Sequence, residues 1–173
     1  MTIETLTETR PGLAGLDTRR LCAMRKAAIR NCFKLMEDTA SRIDFVATVR
    51  GRSYYNDAAS RNVNATWYTL EELQGGLIWI TCPGQGVDYS RLLAVAKRKV
   101  RMILVLGDAA PLRDAFSAVV PHIVECPTMA FALKKAHYYD SPDVNVVFSP
   151  ATFDEALPTQ QLADEFKHEV NEL

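Results

Sequence analysis

The chain has almost no net charge: 20 Lys and Arg stand against 21 Asp and Glu, leaving −1 over 173 residues. That balance offers no basic field to a nucleic acid or to an anionic membrane. No apolar run approaches the about twenty residues that a membrane-spanning helix requires. The opening stretch, MTIETLTETRPG, has neither the basic start nor the apolar core of a secretory signal. Cysteines are few. Cys22, Cys32, Cys82 and Cys126 form no CxxC pair and stand at no metal-ligand spacing from His122, His137 or His168. They read as reduced thiols, and a cytoplasmic location is expected. The sequence also lacks a GK[ST] phosphate loop, a full GxGxxG, internal repeats and low-complexity segments. No catalytic residue and no metal ligand is assigned from it.

What is present is the composition of a globular domain, 48% hydrophobic and 24% charged. Residues 1–18 read as a flexible arm closed by Pro11 and Gly12, and residues 19–173 as one domain. Apolar residues at three- and four-residue spacing predict a helix over 17–38. Two strand-like runs, 43–49 and 52–56, flank Arg50-Gly51 and predict a hairpin or a bent strand pair. A helix follows over 64–74, ended by Gly75-Gly76. Strands are then expected over 76–81, 100–106, 122–126 and 144–150. They alternate with helices over 88–99, the later part of 107–120, 127–139 (with Pro127 at its start) and 159–172. Continuous apolar strands between helices predict an α/β, Rossmann-like fold: a mainly parallel sheet of about six strands, helices on both faces. Ligands of such sheets bind at the carboxyl ends of the strands. Attention therefore falls on the loops around 56–62, 81–88, 107–111 and 149–158.

Three of these loops carry polar groups that admit two readings. In TCPGQGVDY, 81–89, two glycines and the N–H groups of the helix start could receive a phosphate; it also reads as a plain connection capped by Asp88. In SPATFDEALP, 149–158, Asp154 and Glu155 could take a cation or a proton, or could be ordinary solvated acids. Asn56, Asp57 and Asn62 form a polar cluster, or an Asx-type turn that satisfies its own backbone. Arg42 and Arg61 could each meet a phosphate or carboxylate with a planar fork. Trp67 and Trp79 are expected in the core.

Taken in order, these motifs resemble the C-terminal domain of the Mur ligases, most closely its D-glutamate-adding members. The family's N-D-S-K-A-T-N-V is matched by Asn56-Asp57-Ala58-Ala59-Ser60-Arg61-Asn62-Val63. Its G-G-x-x-K-G-x-D-[FY] loop is matched by Thr81 to Tyr89, and its L-L-S-P-A segment by Val147-Phe148-Ser149-Pro150-Ala151. The likeness covers about residues 25–173 and implies the fold of that domain. It also implies that Arg42, Asp57 and Asn56 are what is left of a nucleotide site, ATP being the nucleotide, and that Arg61, Gln85 and Ser149 face the substrate. The family's two lysines fall on Ala59 and Gln85. A positive charge beside an acyl phosphate stabilises the transition state, so its loss argues against the family's transfer reaction. The resemblance thus implies a module that is non-catalytic alone and binds a ligand or a partner. Two alternatives are a subunit of a split ATP-dependent ligase and an independent binder of a small anion or nucleotide. A domain without its usual neighbours exposes surface that another chain tends to fill, so a protein partner or a homodimer is expected.

Overall fold

A computed structural model describes residues 43–141, 143–152 and 156–173. The arm, the helix over 17–38, Arg42, Cys22, Cys32, Asp154 and Glu155 lie outside the described residues. The described part opens with an antiparallel hairpin, β1 (Asp44–Val49) and β2 (Arg52–Asn56). Its turn has Arg50 at φ 51° and Gly51 at φ 82°. Positive φ at both central residues matches the turn twist to the strand twist, which is why a glycine stands there.

Helix α1 (Val63–Glu72) leads to β3 (Gly76–Thr81). A short 3₁₀ turn, Ser90–Leu92, then runs into α2 (Leu93–Lys99) and β4 (Val100–Leu106). Next come α3 (Ala110–Phe116), β5 (Ile123–Cys126), α4 (Met129–His137), β6 (Val144–Phe148) and α5 (Thr159–Asn171). The six strands form one sheet in the order β1-β2-β6-β3-β4-β5. Every pairing except β1 with β2 is parallel.

The strands are apolar throughout because both faces are covered. In β3, Leu77 and Trp79 point to one face and Ile78 and Ile80 to the other, all fully buried. The first face packs Leu70 of α1, Val95 and Ala96 of α2, and Leu112 and Phe116 of α3. The second packs Leu133 and Ala136 of α4 with Phe166 and Val170 of α5.

Two helix ends depart from the expectation. Gly75-Gly76 does not cap α1. The helix gives way to an extended Leu73, and the Lys99 ammonium donates to the carbonyls of Leu70 (3.0 Å), Leu73 (2.9 Å) and Glu71. A cation on the last carbonyls does the work a left-handed glycine would do. Helix α4 starts two residues after Pro127, with the Thr128 hydroxyl accepting from Phe131 N–H at 3.2 Å. Opposite the loops of interest, buried Arg52 closes the far end of α4. Its guanidinium donates to the carbonyls of Ala136, His137, Tyr139, Ser141 and Val144.

Candidate functional site at the carboxyl edge of the sheet

β6 lies between β2 and β3. The chain leaves β2 and β3 toward helices on the first face and leaves β6 toward α5 on the second. Neighbouring loops that part in this way open a crevice at the carboxyl ends of the strands, the usual ligand position in open α/β sheets. Here the crevice holds two adjoining cavities, one of 680 Å³ and one of 540 Å³, which share Val87 and Thr152.

The elbow after β2 is built by its own side chains. Asn56 Oδ1 accepts from Ala58 N–H at 3.3 Å, and Asn62 Oδ1 caps α1 by accepting from Ala65 N–H at 2.9 Å. These are the Asx contacts that such residues offer the backbone. Asp57 turns inward and is fully buried. Its Oδ2 accepts from the hydroxyls of Ser60 and Thr69, both buried, which ties the strand end to the middle of α1. Its N–H donates to Phe148 O at 2.8 Å, and Ala151 N–H donates to Ser60 O at 3.1 Å. The loops after β2 and β6 are thereby stitched together. Neither Asn56 nor Asp57 lines the two cavities.

Ser149 is likewise buried. Its hydroxyl lies 2.7 Å from Thr66 Oγ1, its N–H donates to Ile80 O at 3.0 Å, and its carbonyl accepts from the Trp79 indole at 2.8 Å. Trp79 is thus the core residue expected, with its one donor satisfied, whereas Trp67 is only half-buried. After Ser149 the backbone takes an unusual path. Ala151 sits at φ 59°, a left-handed value uncommon for a residue with a Cβ, and is buried. This turn carries Thr152 into the wall common to both cavities.

In the loop after β3, two of the backbone N–H groups are used within the loop itself. Gly84 N–H donates to the Tyr89 hydroxyl at 3.1 Å, and Ser90 N–H donates to Asp88 Oδ1 at 2.9 Å. The latter bond holds the exposed Asp88 carboxyl below its ordinary pKa. Burial raises the Tyr89 phenol, so it stays a neutral donor and acceptor. Gln85 is exposed and lines the larger cavity with Asp108.

Arg61 is the one sequence-predicted arginine among the described residues, and it lines the smaller cavity. Arg91, which no motif of the sequence singles out, lines it too. Arg91 donates to Asn64 Oδ1 at 2.8 Å, and its guanidinium carbon stands 5.1 Å from the Trp67 ring centroid. Stacking and a hydrogen bond hold that fork in place. With Asp88 on the same wall, the formal charge of the lining is positive. Among the described residues, no group of three or more His, Cys, Asp or Glu is placed to hold a metal ion.

With the geometry known, the chain can be set beside known proteins. No protein-family model matches it. It is 32% identical over 168 residues to the UDP-N-acetylmuramoylalanine–D-glutamate ligase of Christiangramia forsetii, covering 93% of this chain and 37% of that enzyme. The chain matches one domain of the Mur ligases. The ligase of the same name from Solibacter usitatus is 30% identical over 166 residues, again 93% of this chain and 37% of the enzyme. The chain therefore spans about a third of the length of these relatives. Among solved structures, a domain of a UDP-N-acetylmuramate:L-alanyl-γ-D-glutamyl-meso-diaminopimelate ligase from Haemophilus ducreyi superposes with a TM-score of 0.52. That superposition covers 73% of this chain and 98% of the other at 8% identity, which speaks for the fold alone. Of the positions where the resemblance places the Mur lysines, Ala59 is exposed on the elbow and Gln85 lies in the larger cavity.

Proposed function

We propose that this chain is a Mur-ligase-type module that holds a small anionic ligand at the carboxyl edge of its sheet and does not itself transfer a group. The observation that carries this reading is the pairing of Arg61 and Arg91 on one cavity of 540 Å³. Guanidinium groups suit a carboxylate or phosphate, and the lining that holds them carries a positive formal charge. Transfer chemistry asks for a further positive charge placed on the reacting phosphoryl group. The two positions that would supply it by resemblance hold Ala59 and Gln85. Asn56, Asp57 and Ser149 then act as the frame: each is hydrogen-bonded into the loops that shape the crevice. The ATP reading draws less support from this geometry, because Asn56 and Asp57 line neither cavity.

The test is a thermal-shift series with D-glutamate, UDP-sugar precursors and ATP with magnesium. A ligand that binds the folded state raises the melting temperature by mass action. We expect at least one carboxylate- or phosphate-bearing compound to do so, and Arg61→Ala or Arg91→Ala to remove the shift. Silence from every compound, or a shift that survives both substitutions, rejects the site. Hydrolysis of ATP by the purified chain rejects the claim that it transfers no group.

A further inference from the structure

On the second face of the sheet, the outward sides of α4 and α5 carry a surface that the crevice does not explain. Helix α4 buries Met129, Ala132, Leu133 and Ala136. Its other side presents Phe131, 45% exposed, and Tyr138, 75% exposed, with Lys134 and Lys135 between them. Spacings of three, four and seven residues put these four on one stripe. They line a shallow cavity of 390 Å³. Nothing in the fold requires two large aromatics to face water here, and such a patch marks an interaction surface.

The neighbouring helix carries the opposite sign. α5 packs beside α4 and buries Ala163, Phe166 and Val170. Glu165 and Glu169, both half-buried on it, and the exposed Glu172 just past its end recur at four and three residues and form an acidic stripe. Among the described residues, Lys134, Lys135, Glu169 and Glu172 make no ion pair, and Glu165 accepts only from Gln161, at 3.0 Å.

We propose that the α4–α5 face is the interface of a two-fold dimer of this chain. In a two-fold interface, residue i meets j and j meets i, so the surface must contain its own complement. An aromatic-basic helix lying next to an acidic one meets that condition. α4 of one copy lies across α5 of the other, Lys134 and Lys135 meet the glutamates, and Phe131 and Tyr138 fill the centre. Aromatic anchors in a charged rim are the usual composition of such contacts.

Sedimentation velocity on the full chain over a concentration series tests this independently of any ligand. A dimer is expected, weakened by salt. Lys134→Glu with Lys135→Glu should raise its dissociation constant by about tenfold or more, since like charges then face each other. Adding Glu165→Lys and Glu169→Lys to that variant should restore the dimer. Lys134 and Lys135 are exposed and Glu165 and Glu169 are half-buried, so an unchanged far-ultraviolet circular dichroism spectrum shows that the fold survives. A chain that stays monomeric overturns the proposal and leaves this face to a different partner. A dimer indifferent to the lysine reversals overturns it as well.

Discussion

A Cβ on Gly84 would lie 2.5 Å from Thr152 Oγ1 and from Val87 Cγ2, and 2.9 Å from Thr152 Cβ. These are the two residues shared by the crevice cavities, so the glycine sets how closely the loops after β3 and β6 approach. Gly84→Ala is expected to destabilise the fold by about 1–3 kcal/mol, the ordinary cost of overpacking. A urea midpoint unchanged from the parent would show that the loops part freely. At this scale the sequence was partly readable. Asn56 and Asn62 make Asx contacts with the backbone, one of the two readings their polar cluster admits. The destination of Asp57 was not readable: Thr69 lies twelve residues on, and only a formed helix brings its hydroxyl to the carboxylate. Arg91 carries no local signal for the same reason. It stands thirty residues from Arg61 in sequence, and the sheet, not the chain, makes them neighbours.

At the scale of elements, the two ends of the sheet are organised differently. The carboxyl edge has crevice loops; the opposite edge has Arg52. Its planar fork satisfies five carbonyls from the end of α4 through Val144, 84 to 92 residues away. Arg52→Met would strand those acceptors, and a loss of about 3 kcal/mol or more is expected from unpaired buried groups next to the lost charge. Arg52→Lys should recover only part, because an ammonium has three donors and no fork. Chemical denaturation of the three proteins checks this order; equal midpoints for Arg52→Met and the parent would refute it. Element types were legible because strands and helices differ in apolar period. Element ends were less so. The ends of α1 and α4 are closed by Lys99 and Arg52, which are distant in sequence, and no local glycine or proline signal announces a cap of that kind.

Over the whole molecule, six strands and two covered faces followed from the apolar runs, but their order did not. Nothing local in VNVVF says that it inserts between β2 and β3. Burial also gives the molecule a pH limit. Cys82 lies in the second core, 1% exposed, and burial pushes its thiol up to about 12 from 9.0. An unfolded chain would release that proton near the ordinary value, so it binds fewer protons than the native state at higher pH. Stability from this group is complete below about pH 9 and declines as pH rises toward 12. Cys82→Ala should flatten the alkaline limb of a stability-versus-pH curve, and an identical limb would count against the assignment.

The insertion of β6 also has a consequence in time. Tyr54 pairs with Val146, and Ile78 pairs with that same valine from the other side. Until the ribosome has released that strand, the β1–β2 hairpin and the β3–β4–β5 unit share no ladder. Two half-sheets wait for one late segment, and the loop closures that join them are long. Long-range pairing of this kind slows folding. The strand at the centre of the finished sheet is therefore the last of the six to be synthesised, and its arrival turns two pieces into one.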